Sequence, residues 1–224
     1  RKTFKFDLIL ENKNILITGG PTQEPIDPIR YLTNRSSGKM GYALSKSARD
    51  FGASVTLISG PVHLDKISGI KNIDISSSMD MKNTIEEELN KKNFDYIIMA
   101  AAVADYTPEK YSNKKIKKDE NVIDMKLIKT EDILQSITSK TKALKIGFAL
   151  ETETGEKNAI GKLNQKSLDH IVLNYANEEG AGCDSDTNHI YIYSKNGDKV
   201  EFKKDTKQRL AQKILKYIVR LHEN

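Results

Sequence analysis

Asn34-Arg-Ser-Ser-Gly-Lys-Met-Gly41 gathers an amide, two hydroxyls, a flexible glycine and a lysine just ahead of a helical pattern. Side-chain donors, backbone N–H groups and the helix dipole can together satisfy an anion there. An elaborate helix N-cap would use the same residues. The segment is not a P-loop, because the G-x-x-x-x-G-K-[ST] spacing is absent. Upstream, an apolar run ends in Gly19-Gly20, where glycines let backbone amides approach a phosphate; a tight strand-to-helix turn is the plainer reading. The G-x-G-x-x-G dinucleotide fingerprint is missing. A second apolar run leads into Ala101-Ala-Val-Ala-Asp-Tyr106. Small residues at a strand's carboxyl end leave room for a flat ligand, and Asp105 can accept hydrogen bonds from an amino group; alanines also simply permit close helix packing.

Lys114-Lys-Ile-Lys-Lys118 admits three readings. It is a solvated surface run, a basic patch for nucleic acid or a targeting signal, or a lysine flap that closes over a polyphosphate and supplies positive charge to the transition state. Its position just after the Ala-Val-Ala-Asp strand end favours the flap. Lys162 and Lys166, four apart on one helix face, can clamp a triphosphate tail, although an exposed face is the local alternative. Tyr42 and Lys46 match the Y-x-x-x-K pair of short-chain dehydrogenases but lie too close to the first strand for that role. Cys183 has no neighbouring His to activate it and reads as an inert thiol.

The elements that must position these residues alternate in type. Strands are expected at 14–18, 54–59, 94–102, 145–150 and 170–174, and helices over 40–51, from Ser78, from Thr130 and over 155–166. Gly52 is placed as a C-cap glycine. Strand–helix–strand repetition predicts an α/β, Rossmann-like, doubly wound and mostly parallel sheet. Residues 22–39 read as a polar, proline-bearing loop, and 105–125 as a long lysine-rich flap. Two alternating strands around Lys195-Asn-Gly-Asp198 predict a C-terminal β-hairpin, followed by a helix capped by Asp205 or Thr206.

The chain has 224 residues and a formal charge of +5, with 36 basic and 31 acidic residues. That suits a single domain over 14–224, with 1–13 as a linker or tail. No apolar run is long enough for a membrane span, and the opening residues do not form a signal peptide. One cysteine excludes an internal disulfide and points to a reducing compartment, the cytoplasm. A thiolate zinc site is excluded, and the four histidines lack ligand spacing. An NAD(P)-dependent oxidoreductase is disfavoured by the missing glycine fingerprint. A nucleic-acid binder is disfavoured by the interleaved acids and the lack of an aromatic platform.

Five ordered motifs resemble the phosphopantothenate–cysteine ligase family of coenzyme A biosynthesis: the 18–30 run TGGPTQEPIDPIR, Asn34 to Gly41, Ala101 to Tyr106, Lys115 to Lys118, and Gly147-Phe-Ala-Leu-Glu151. The resemblance implies two steps. The carboxylate of 4'-phosphopantothenate attacks CTP to give an acyl-cytidylate and pyrophosphate, and cysteine then forms the amide and releases CMP. It implies Mg²⁺ with CTP as co-substrate, with metal-ligating side chains unassigned, no flavin in this domain, and a homodimer with its pocket near the interface. Fusion to an N-terminal flavin-dependent decarboxylase is also implied, and the leading RKTFKFDLILENK would be its linker. By the same resemblance Asn34 contacts the acyl-cytidylate and Lys115 is the flap lysine. Ala101, Ala102 and Asp105 form the cytosine side of the nucleotide pocket. Glu131, Asp132, Ile133 and Leu134, with Phe148, Lys162 and Lys166, are further nucleotide contacts. Glu131 stands where bacterial relatives often have Pro, which favours a backbone contact there. Cys183 replaces a common Phe before Asp184.

Overall fold

The computed structural model describes residues 8–117, 122–178, 182 and 185–222. Of the residues singled out above, Lys118, Cys183 and Asp184 lie outside the described set.

Six strands run parallel: β1 (Asn14–Gly19), β4 (Ser54–Ser59), β5 (Lys71–Asp74), β6 (Tyr96–Met99), β9 (Leu144–Glu151) and β10 (His170–Tyr175). The hairpin β11 (Thr187–Ser194) and β12 (Lys199–Thr206) pairs antiparallel at one edge. The resulting order is β12-β11-β10-β9-β6-β1-β4-β5. The expected doubly wound, mostly parallel α/β architecture and the C-terminal hairpin are therefore present.

Alternation along the strands sorts the core into two layers, because successive side chains point to opposite faces. Ile15, Ile17, Val55, Leu57 and Ile98 pack on one face against Leu44 and Ala48 of α1 (Lys39–Asp50) and Leu210 and Ile214 of α5 (Lys207–His222). Leu16, Ile58, Ile97, Met99 and Ile171 pack on the other. They meet Met81 and Ile85 of α2 (Ser78–Lys91), Ile137 of α3 (Ile133–Thr138), and Ala159 and Leu163 of α4 (Gly155–Gln165). From β1 the chain winds outward through β4 and β5, then returns to place β6 on β1's other side. That reversal opens a crevice outside the carboxyl ends of β1 and β6, where doubly wound sheets bind ligands.

Several expectations need correction. Residues 22–39 are not simply loop: β2 (Gln23–Pro25) and β3 (Tyr31–Thr33) form a short hairpin. The lysine-rich flap is rooted in a ribbon, β7 (Tyr106–Pro108) against β8 (Leu127–Lys129). The linker expected over 1–13 is folded from Leu8 onward. Leu10 is wholly buried, and its N–H donates to the Phe51 carbonyl at 2.9 Å. Ser77, not Ser78, caps α2, because Asp80 three residues later completes a reciprocal capping box. Asp132, not Thr130, caps α3, its carboxylate accepting from the Gln135 N–H at 3.1 Å. Other signals were read correctly. Gly52 follows α1 at φ 95°, and the Thr206 hydroxyl accepts from the Arg209 N–H at 3.3 Å at the start of α5.

Candidate functional site

The turn after β1 is built for close approach. A Cβ added at Gly41, in the first turn of α1, would lie 2.8 Å from the Gly19 Cα, so α1 presses directly on the strand end. Gly60, at the end of β4, meets Pro21 closer still: an added Cβ would lie 1.6 Å from the Pro21 carbonyl oxygen. Gly20 and Gly38 have φ near 72° and 74°, a left-handed conformation that glycine adopts without a Cβ clash. Gly38 is the N-cap of α1 and supplies no side-chain cap, and no acid occupies the helix's first turn. The backbone donors at this end therefore suit an anion.

Residues 101–105 are held on both sides by this turn and its neighbours. The Ala101 N–H donates to the Thr18 hydroxyl at 3.2 Å, the Ala102 N–H to the Gly20 carbonyl at 2.9 Å, and the Ala104 N–H to the Thr22 hydroxyl at 2.9 Å. In the other direction, the Asn34 amide donates to the Val103 carbonyl at 3.0 Å and the Thr130 hydroxyl to the Ala104 carbonyl at 2.7 Å. The anchors come from three segments: residues 18–22, Asn34 and Thr130. A small-residue stretch that would otherwise be a loose loop is thereby fixed as a wall.

These surfaces enclose a cleft of about 1260 Å³. Asn34, Ala101, Ala102 and Asp105 line it from the β1 and β6 side. Glu131, Asp132, Ile133 and Leu134 line it from the start of α3, and Phe148, Lys162 and Lys166 from β9 and α4. Ile133 and Leu134 are buried and contribute floor rather than reach. The two lysines are held by acids: Lys162 by Glu151 at 3.0 Å and Lys166 by Asp132 at 3.3 Å. Glu131 pairs with Lys82. Among the described residues Asp105 alone of the carboxylates lining the cleft has no ion pair. No cluster of three or more potential metal-ligating side chains exists among the described residues.

Lys115 does not line the cleft. It is exposed on the segment beyond β7, which is moored to the β2–β3 hairpin. There the Ile116 N–H donates to Asp27 at 3.1 Å, the Ser112 N–H donates to the Ile26 carbonyl at 3.0 Å, and Arg30 pairs with Asp27. Burial alone would raise the Asp27 pKa. The N–H groups of Ile29, Ile116 and Arg30, with the Arg30 guanidinium, outweigh it and hold the carboxyl at about 2.

The cleft also contains Lys39, from the motif at 34–41, and residues that sequence reasoning did not single out, among them Lys129, Asn174, Asn188 and Lys207. Strand counting supplies a signal for the last. The C-terminal hairpin ends on a strand parallel to β10, so the residue that follows β12 must return to the same sheet edge.

A family model described as the DNA/pantothenate metabolism flavoprotein C-terminal domain matches residues 10–221. The coenzyme A biosynthesis bifunctional protein CoaBC of Vibrio parahaemolyticus is 42% identical over 211 residues, covering 92% of this chain and 52% of that protein. CoaBC of Bacillus subtilis is 42% identical over 214 residues, covering 95% and 52%. The chain thus spans about half the length of the curated relatives it matches. A crystal structure of the C-terminal domain of CoaBC superposes with a TM-score of 0.81 at 38% identity, covering 96% of this chain and 98% of that one. The same fold, at 16% identity and a TM-score of 0.73, is found in a Cab2 mutant in complex with phosphopantothenate-cysteine. With nearly its whole described length matched, this chain belongs to the DNA/pantothenate metabolism flavoprotein C-terminal domain family, as a counterpart of the C-terminal domain of CoaBC.

Proposed function

We propose that this chain is a phosphopantothenate–cysteine ligase that uses CTP in coenzyme A biosynthesis. The observation that carries the reading is one cleft, at the sheet's reversal point, lined jointly by Asn34, the Ala101–Asp105 wall and the α3/α4 residues. Family membership and the bifunctional relatives support the same pathway.

The chemistry explains the residue types. A carboxylate is a poor acylating agent, so the acid of 4'-phosphopantothenate is first converted to an acyl-cytidylate with release of pyrophosphate. Two anions must meet for that step, and lysines stabilise the charge that develops. Lys162 and Lys166 exchange their carboxylate partners for nucleotide, and Phe148 offers a flat apolar face. Asp105 accepts from the cytosine amino group. Lys115 arrives with the arm beyond β7 and neutralises the triphosphate. Asn34, fixed by Val103, contacts the acyl-cytidylate while the cysteine amine attacks its carbonyl and CMP leaves. No protein nucleophile is required. Mg²⁺ fits a cleft without a carboxylate cage, since it keeps much of its water and is held largely by substrate phosphates, with no lining side chain assigned to it. Bound there, it would offset phosphate charge.

The chain functions as a homodimer in this reading. Ile29 and Tyr31 on the β2–β3 hairpin and Tyr106, Leu127 and Ile128 on the β7–β8 ribbon are exposed apolar residues suited to a partner copy. Fusion to an N-terminal flavin-dependent decarboxylase, with no flavin in this domain, and a cytoplasmic setting complete it. No described helix is long and apolar enough to cross a membrane.

The test is direct. Purified chain given CTP, Mg²⁺, phosphopantothenate and cysteine should release pyrophosphate only when phosphopantothenate is present. Absence of pyrophosphate with all components would overturn the assignment. Asn34→Asp should impair amide formation more than CTP consumption.

A further inference from the structure

Lys162 and Lys166 approach the cleft from one face of the sheet. On the other face, the cleft is bounded by the first residues of α1 and α5, Lys39 and Lys207. Lys207 is only 6% exposed. Its Nζ donates to the Gly182 carbonyl at 2.9 Å, and its backbone N–H donates to the Asp186 carbonyl at 2.9 Å. Lys39 pairs with the Asp186 carboxylate at 2.7 Å. The three residues thus form one cluster beside the cleft.

Helix formation does not explain Lys207. A cation in the first turn meets the positive end of the helix dipole, where an acid or hydroxyl would be favoured. Taking an ammonium group out of water is costly as well. The nearby Asp186 carboxylate, whose pKa Lys39 and Lys207 both lower, offsets part of that cost, and a cation held in this way at the wall of a cleft is placed to meet an anion that enters it. The adjacent features agree: α1 begins with a glycine N-cap that brings no side chain, preceded by Ser36 and Ser37. The Asp186 side chain is 85% exposed, so it can leave Lys39 and remain hydrated when a stronger anion arrives. The first strand-to-helix turn of a doubly wound sheet is also where nucleotide phosphates bind.

We propose that Lys207, together with Lys39, holds the polyphosphate of the nucleotide against the N-terminus of α1, displacing the Asp186 carboxylate from Lys39. The inference rests on the CTP-dependent ligase reading and deepens it. It divides the cleft: polyphosphate lies on the α1/α5 face, cytosine on the Asp105 side, and Asn34 remains at the rim where the acid enters.

Calorimetric titration of the chain with CTP, CDP and CMP in Mg²⁺ tests it. The wild type should bind more tightly as phosphates are added. Lys207→Met should lose most of that gain, with CTP affinity falling about tenfold or more and CMP affinity nearly unchanged. Lys207→Arg, which keeps the charge, should retain part of the gain. Equal losses for CTP and CMP would reduce Lys207 to an anchor for Gly182 and overturn the inference, as would an unchanged CTP-to-CMP ratio. If Lys207→Met does not fold, Lys39→Met carries the same comparison with the same outcomes. A wild type that binds none of the three nucleotides would sink the ligase reading itself, which separates the two failures.

Discussion

The wall at 101–105 and the arm at 106–129 are consecutive in the chain and border the same cleft, yet they are built on opposite principles. The wall's N–H and carbonyl groups are claimed by Thr18, Gly20, Thr22, Asn34 and Thr130, and Ala104 is 5% exposed. Among its described residues the arm is joined by two three-residue strands and carries Tyr111 and Val122 in the open. Few buried contacts mean a small free energy for local opening. A nucleotide pocket gains from rigid donors that need no reorganisation. A group that must admit two substrates and then cover them gains from the reverse. The cleft thus pairs a half pegged by hydrogen bonds with a half whose described residues make few buried contacts.

The largest effect that would break this contrast is expected in the fixed half. Gly60→Ala forces a Cβ into the Pro21 carbonyl and should destabilise the chain by more than about 3 kcal/mol, read as a shift in the urea midpoint. A midpoint near wild type would mean that the turn yields readily. Next is Lys115→Gln in the arm. It should leave the urea midpoint within about 0.5 kcal/mol of wild type while pyrophosphate release falls roughly a hundredfold. An unaffected rate would remove Lys115 from the mechanism.

Acid should separate the body of the fold from the arm. His170 is buried on β10, with its Nε2 2.7 Å from His222 and its Nδ1 2.9 Å from Ser194. Burial, with the neighbouring His222, pushes it down to about 4. Between that value and the ordinary 6.5, the unfolded chain binds a proton that the folded one refuses. Stability from this site is therefore intact above about pH 6.5 and is lost as pH falls toward 4. Between pH 7.5 and 4.5 the loss should be about 2 kcal/mol in urea titrations and smaller in His170→Gln. Asp27 titrates in the same sense but in a lower window. Its depressed pKa keeps the contribution present above the ordinary carboxylate value, and it is lost only as pH falls through about 2. The exchange protection of the Ile116 amide should accordingly hold constant over that same range. Loss of Ile116 protection in step with global stability would show arm and body to be one unit.

The smallest effect concerns a single peg. Thr22→Val leaves the buried Ala104 N–H without its hydroxyl acceptor and should cost about 1 kcal/mol. It should also raise the exchange rate at Ala104 more than at Ile116.

Apolar runs such as Ile15–Ile17 and Tyr96–Met99 were legible as buried parallel strands because both of their faces are covered, so nearly every residue is apolar. β5, Lys71–Asp74, was not, since its ends are exposed and its pattern is polar. The β2–β3 hairpin escaped notice because three-residue strands, one of them ending in Pro25, carry no periodicity. Of the site, the motifs at 34–41 and 101–106 line the cleft, whereas Gly19, Gly20 and the flap lysines Lys114, Lys115 and Lys117 do not.

Local composition by itself determined the layered α/β fold, the glycine-rich strand-to-helix turn and the family, because each depends on residues close together in the chain. Tertiary structure alone decided which distant groups share a pocket. Asn34 meets Val103, and Lys39 meets Asp186 across 147 positions. Lys207 comes to the cleft only because the hairpin before it reverses twice and delivers α5 to the ligand edge. A lysine that looks like any solvated helix residue in one dimension becomes a buried charge in three, since burial is a property of what packs around a residue and not of its neighbours in sequence.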